Sequence, residues 1–240
     1  MVPPRMKIRL TLEQLLHRQG FGTRKECRAL IQAGRMTVAG ITVTDPNQTY
    51  MPEGLEFGVD GQPWCFRTHA YLMLNKPAGY ECSRAPSHHP SVLTLLPPPL
   101  VARGVQPVGR LDEDTTGLLL LTDDGALLHR LISPRHGISK VYRVTARHPV
   151  DDRQIAHLLE GVQLRDAPEP VAARACRRLD DHVLELTIHE GRYHQVKRML
   201  AAVGNRVDGL QRIAVGPVEL PADLPVGAWR WLEDSVLANM

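Results

Sequence analysis

Near the start of the chain Leu12, Leu15 and Leu16, continued by Gln19, recur at helical spacing, and the pattern stops at Gly20. A second helix is expected over residues 24–33. Thr23 stands as its N-cap, Glu26 three residues on completes a capping box, and Gly34 ends it. Two short alternating runs around Ala39-Gly40 then read as a hairpin, so this opening segment is helix, helix, hairpin. Pro46, Pro52, Gly54, Gly58, Gly61 and Pro63 punctuate the next stretch, and a new apolar run begins at Tyr71. The pattern therefore divides the chain into a small domain over residues 1–62, linker included, and a larger one over 63–240.

The larger part alternates between the two periods. Residues 71–75, 118–122, 138–146, 171–177 and 183–189 read as strands, and residues 126–132, 151–159 and 193–203 as helices. Strands outnumber helices, and the pair around Asp180-Asp181 is joined directly. An α+β fold with a mixed, mainly antiparallel sheet is expected rather than a doubly wound one. Pro97-Pro98-Pro99 reads as a loop.

Composition narrows the class. The chain has 240 residues, 43% of them hydrophobic and 23% charged, which is the make-up of a globular protein with a buried core. The run of four leucines from Leu118 stops at Thr122-Asp123-Asp124, far short of the roughly 18 residues of a membrane span. Met1 to Lys7 lack the apolar stretch of a secretory signal, so a cytoplasmic, membrane-free location is expected. Cys27, Cys65, Cys82 and Cys176 are scattered without a Cys-x-x-Cys pair, which argues against a disulfide framework or a zinc ribbon.

Charge is uneven. Residues 1–35 carry eight cations against two acids, a balance of +6, while the rest carries 21 against 24, a balance of −3. A small basic module on a near-neutral body suits a polyanionic partner, with Arg24, Lys25, Arg28 and Arg35 as its contacts.

Three polar segments could carry chemistry. Gly109-Arg110-Leu111-Asp112-Glu113-Asp114-Thr115-Thr116-Gly117 leads straight into the leucine strand and sets a carboxylate at a strand entrance, with Arg110 close enough to favour its ionised form. On residue chemistry alone it is equally a charged turn. The run from His189 to Leu200 resembles a His-Glu-x-x-His metal motif only superficially, because His189 and His194 are five apart, and a metal is rejected. Its Arg192, Gln195, Lys197 and Arg198 instead suit phosphate contacts at a helix start. A third stretch, residues 134–147, interleaves Arg135, Lys140, Arg143 and Arg147 with Tyr142 and contains no acid, a pattern suited to backbone contact plus base stacking.

These segments together carry a resemblance. Gly109-Arg110-Leu111-Asp112, with Thr116-Gly117-Leu118-Leu119-Leu120-Leu121-Thr122-x-Asp124-Gly125, resembles the signature of the RsuA-like pseudouridine synthases of ribosomal RNA. Leu74-Asn75-Lys76-Pro77-x-Gly79-Tyr80, Lys140-x-Tyr142-x-Val144 and Glu190 to Met199 resemble three further family motifs, in order. Residues 5–50 are similar to the αL RNA-binding domain of S-four type, although Arg9-Leu10-Thr11-Leu12 stands where that domain usually begins Arg-Leu-Asp-Lys. Tyr193 to Lys197 and Ala201 to Asn205 are most like the branch that acts on 16S rRNA.

The resemblance implies an isomerase that turns uridine into pseudouridine with no cofactor and no metal. It makes Asp112 the carboxylate that starts cleavage of the N-glycosidic bond, Lys197 the cation paired with it and Tyr142 the surface on which the extruded uracil stacks. Arg110, Thr116 and Lys140 join Arg192, Gln195 and Arg198 as expected RNA contacts. The partner would be ribosomal RNA, within a small-subunit particle or assembly intermediate, met by a monomer. A large-subunit rRNA synthase of the same family and a non-catalytic ribosome assembly factor are the rival expectations. A glycosidase using Asp112 with Glu113 or Asp114 ranks far below, since carboxylates so close on one loop seldom face each other across a bond.

Overall fold

A computed structural model of the chain describes residues 9–133 and 137–233. Backbone proximity separates it into two units, one of residues up to Ala70 with Leu96–Gln106, the other of Tyr71–Leu95 with residues from Pro107 onward.

In the first unit β1 (Leu10–Thr11) leads into α1 (Leu12–Arg18). Thr11, which stands where an aspartate is usual in such domains, has a local task. Its hydroxyl accepts from the Gln14 amide at 3.2 Å while the Gln14 side chain accepts from the Thr11 amide at 3.1 Å, closing a capping box. The same device opens α2 (Arg24–Gln32), where Thr23 and Glu26 exchange equivalent bonds. β2 (Met36–Val38) and β3 (Ile41–Val43) form the expected hairpin, with Ala39 and Gly40 both at positive φ, 48° and 77°. β4 (Thr49–Tyr50) pairs with β1, and β5 (Glu56–Val59) and β6 (Gln62–Cys65) complete a sheet in the order β3-β2-β5-β6. Residues 62–65 thus belong to this first sheet. Leu12, Leu15, Leu16, Cys27, Ile31 and Met36 are wholly buried in one core.

The triple proline does not form a loop. Pro97 caps α3 (Pro98–Ala102), whose opening prolines occupy first-turn positions where no amide donor is needed, and the Pro97 carbonyl accepts from Leu100 at 3.0 Å.

The second unit contains β7 (Tyr71–Lys76), β8 (Gln106–Pro107) at its entry, β9 (Thr116–Thr122), α4 (Gly125–Ile132), β10 (Lys140–Ala146), α5 (Asp152–Glu160), β11 (Ala175–Asp180), β12 (Val183–Ile188), α6 (Gln195–Ala202), β13 (Val207–Val215), β14 (Val218–Glu219) and β15 (Trp229–Trp231). The main sheet runs β11-β12-β10-β13-β9-β7-β15, with β14 beside β13. Along that order neighbouring strands are antiparallel except for the parallel pair β13 and β9. Strand β11 starts four residues later than the periodicity suggests, because Val171 pairs instead with Val162 in an isolated bridge. Helix α6 starts two residues late because His194 takes a left-handed backbone.

β9 is an interior strand, between β13 and β7. Leu118, Leu119, Leu120 and Leu121 are all at most 2% exposed, which is why this strand is apolar on both faces rather than alternating. It carries the Asp112 loop at its N-terminal end.

Candidate active site

The loop before β9 is bound from below by a buried lysine. Lys76, at the end of β7 and 0% exposed, donates through Nζ to the carbonyl oxygens of Pro77 (3.0 Å), Asp112 (3.1 Å), Glu113 (3.0 Å) and Thr115 (2.9 Å). Burial pushes its ammonium below the ordinary lysine value, against the opposing pull of the nearby Cys82, Glu113, Asp114 and Asp112. Three further bonds shape the loop: the Gly79 amide to the Glu113 carbonyl at 2.9 Å, the Leu111 amide to Cys82 Sγ at 3.4 Å, and the Thr115 amide to the Asp112 carbonyl at 3.1 Å. The result turns the Asp112 side chain outward, 30% exposed.

Two groups at the start of α6 meet that carboxylate. Lys197 Nζ lies 3.3 Å from Oδ2 and His194 Nε2 lies 3.4 Å from Oδ1. Lys197 is shared, because it also donates to both oxygens of Asp114, at 2.6 and 2.8 Å. Burial works against its charge, but the Asp114 hydrogen bond and the two carboxylate charges prevail and hold the ammonium above the ordinary lysine value. For Asp114 burial likewise opposes charge and is outweighed by Lys197, leaving that carboxyl below the ordinary range.

Asp112 stands where two hollows meet. A small one of about 70 Å³ includes Tyr142, Ile188, Arg192 and Leu210 in its lining, and an open groove of about 620 Å³ is walled by Cys82, His88, His89, Asp114, Tyr193 and Lys197. Arg110, Leu111, Asp112 and His194 border both. Tyr142 is 7% exposed and sits beside a register shift between Val141 and itself against β13, a bulge of the kind that re-aims a side chain.

The sequence-expected residues separate into groups. Asp112, Tyr142, Lys197, Arg110, Arg192 and Gln195 border these hollows. Arg110 is exposed and has no acidic partner among the described residues. Several others are already engaged. Gln195 is buried and its Oε1 accepts from the Arg192 amide at 2.9 Å, Arg192 pairs with Glu190 at 2.8 Å, and Arg198 is bound to Asp166 and to the Tyr193 carbonyl. Thr116 donates to the Leu210 carbonyl at 3.4 Å. Lys140 donates to the carbonyls of Ile138 at 3.0 Å and His189 at 3.4 Å, with burial and Arg212 pushing its ammonium down.

In the first unit Arg28 is tied to Glu13, and Arg35 to Asp60 through two bonds of 2.6 Å. Arg24 and Lys25 are exposed on α2 without an acidic partner among the described residues. Arg135 and His136 of the basic stretch lie outside the described residues.

The sequence gives no warning of the role of Lys76, whose partners lie 36 to 39 residues on in the chain, apart from its neighbour Pro77. The sequence raises His194 only as a metal ligand; its place beside Asp112 depends on a left-handed backbone that the sequence does not announce.

Comparison with known proteins shows the family of the chain. Residues 70–202 match the family model for RNA pseudouridylate synthase, and residues 10–53 match the S4 domain. The chain is 43% identical over 212 residues to ribosomal small subunit pseudouridine synthase A of Escherichia coli, covering 88% of this chain and 90% of that one. An uncharacterized RNA pseudouridine synthase of Bacillus subtilis, YtzG, is 38% identical over 95% of this chain and 97% of its own length. A solved pseudouridylate synthase structure superposes with a TM-score of 0.68 at 37% identity, covering 96% of this chain and 99% of that one. With an S4 domain followed by the synthase domain, the chain belongs to the RNA pseudouridylate synthase family.

Proposed function

We propose that this protein isomerises a specific uridine to pseudouridine in ribosomal RNA, and that its target lies in the 16S rRNA of the small subunit. The observation that carries the reading is the Asp112 carboxylate, held by Lys197 at 3.3 Å on the border of a hollow lined by Tyr142.

The chemistry asks for little beyond that set. Asp112 initiates cleavage of the bond between uracil N1 and ribose C1′, the freed base turns within the site, and C5 bonds to C1′. The C5 proton is then lost and N1 gains one, so the reaction is balanced without an oxidant, a nucleotide or a metal. Lys197 keeps a cation beside Asp112 while that carboxylate is out of bulk water. Tyr142 offers a flat face in place of the neighbours that an extruded base gives up.

Arg110 meets the RNA backbone at the mouth, and the first unit adds affinity through Arg24 and Lys25. In this reading the enzyme works as a cytoplasmic monomer on a small-subunit particle or assembly intermediate. The branch assignment is supported by the likeness to the Escherichia coli enzyme named for the small subunit.

The test is to incubate the purified chain with 16S rRNA, with 23S rRNA and with small-subunit particles, and to map pseudouridine at nucleotide resolution. One modified uridine in the small-subunit arms, lost in Asp112→Asn while RNA binding persists, is the expected result. Modification confined to 23S rRNA overturns the 16S assignment, and RNA binding without any modification makes the protein an assembly factor.

A further inference from the structure

Tyr193 is out of place for an aromatic residue. It is 68% exposed and the one aromatic among the large hydrophobic side chains found exposed in the described residues. Its ring is stacked on that of His194, with centroids 3.8 Å apart and planes inclined by 19°. One face is therefore covered while the other remains exposed, and both residues line the groove beside Asp112.

The backbone that produces this stack is strained. His194 has φ 49° and ψ 32°, a left-handed conformation that a residue with a Cβ adopts at a cost. The other non-glycine residues at positive φ among those described, Ala39 and Asp60, sit in two-residue hairpin turns that demand it. His194 precedes a helix instead, and the same conformation lays its ring flat on Tyr193 and sets Nε2 3.4 Å from Asp112. The strain thus fixes an open aromatic face at a set place relative to the reacting carboxylate.

The groove also says what would use that face. Each of its acids faces a partner: Glu81 binds the amides of Ser87, His88 and His89, Asp112 and Asp114 share Lys197, and Glu113 lies 3.5 Å from the His89 ring. Arg110 remains exposed without an acidic partner among the described residues. A free guanidinium and a free aromatic face along one groove match the two parts of a nucleotide, phosphate and base, and stacking on such a face accepts any base.

We infer that Tyr193, braced by His194, is a stacking platform for an unpaired nucleobase adjacent in the RNA to the target uridine. This rests on the isomerase reading above and adds a second base subsite to it, outside the pocket of Tyr142. A base held there keeps the strand from closing back over the position that the extruded uridine has left.

The experiment compares wild type with Tyr193→Ala, Tyr193→Leu and Tyr193→Phe, measuring Kd and KM for 16S rRNA, then repeats the series on RNA made abasic on either side of the mapped uridine. Tyr193→Ala and Tyr193→Leu should raise Kd and KM roughly tenfold, the loss falling there more than on kcat, and Tyr193→Phe should restore both. On the abasic RNA the wild type should weaken to the level of Tyr193→Ala, and Tyr193→Ala should weaken no further. Thermal melting of each variant separates lost stacking from lost folding, since an exposed ring contributes little to the core. A wild type that modifies its RNA while Tyr193→Ala keeps the same Kd and KM removes the platform and leaves the isomerase standing. A wild type that forms no pseudouridine, yet binds RNA more tightly than Tyr193→Ala, removes the isomerase and leaves the platform.

Discussion

The wholly buried ammonium of Lys76 donates at 3.1 Å to the backbone carbonyl of Asp112, the residue whose side chain faces the opposite way, toward the groove. One lysine also holds Glu113 and Thr115 by their carbonyls, so the loop is clamped at three points around a single charge. Lys76 therefore acts as a positioning residue, reaching the reaction only through the loop.

Lys76→Met keeps the length of the side chain and removes the donors. Each carbonyl left buried without a donor should cost about 1–3 kcal/mol, offset in part because the ammonium no longer has to be desolvated. Where the fold survives, a shift of about 1 Å in Asp112 should lower pseudouridine formation by about 100-fold. Thermal melting and single-turnover assays check both; a variant with the wild-type rate would show that the clamp does not set the geometry.

Glu81 organises the opposite wall of the groove. Its carboxylate accepts from the amides of Ser87 (3.0 Å), His88 (2.8 Å) and His89 (2.9 Å), and these three bonds, the Ser87 bond first, hold its pKa down to about 2. A carboxyl whose folded value is depressed gives its support above the ordinary value of about 4.3, and that support is lost as pH falls through about 2. Amide exchange at Ser87, His88 and His89 should accordingly stay slow down to about pH 3. Glu81→Gln should speed it at neutral pH; equal protection in the two proteins would assign the order of this segment to something else.

Gly117 sits at the start of β9, opposite Lys76 on one side and Arg212 on the other. Its φ is +97°, and a Cβ there would come within 2.3 Å of the Arg212 carbonyl oxygen. Arg212 cannot retreat easily, since it is 3% exposed and its Nε donates to the Leu118 carbonyl at 2.8 Å. Backbone strain and overpacking together should make Gly117→Ala destabilising by about 3 kcal/mol or more, read from denaturant unfolding. A variant within about 0.5 kcal/mol of wild type would mean that the two strands part without cost.

These residues mark what was legible in the chain. The caps of α1 and α2, the Ala39-Gly40 hairpin and the Asp112 loop are written in residues a few positions apart, where local chemistry decides the conformation. The Asp112–Lys197 pair joins residues 85 apart, yet it was readable because each lies in its own recognisable motif. Lys76 also lies in a recognisable motif, but its role as a clamp was hidden, since its burial depends on a loop 36 to 39 residues on that folds over it. β13 was hidden for a related reason: Asp208, Gly209, Gln211 and Arg212 break the apolar alternation of Val207–Val215, although the strand is central, because Arg212 places its charge inside the sheet. Nor could composition separate the cations of the first unit, since Arg28 and Arg35 find acids that are far away in sequence.

That last distinction has a measurable consequence for RNA affinity. A cation already paired with a carboxylate must leave it before it can neutralise a phosphate, and two bonds of 2.6 Å keep Arg35 on Asp60. Arg24 and Lys25 face no such competitor on the exposed side of α2. Each phosphate contact releases counterions and adds about one unit to the slope of log Kd against log salt concentration. Arg24→Ala with Lys25→Ala should therefore make that slope shallower by about one to two units and weaken binding most at low salt. Arg35→Ala should change it much less. Binding titrations of 16S rRNA across a salt series decide the matter: an unchanged slope in the double variant, or a larger loss in Arg35→Ala, would move the RNA contact away from this face of α2.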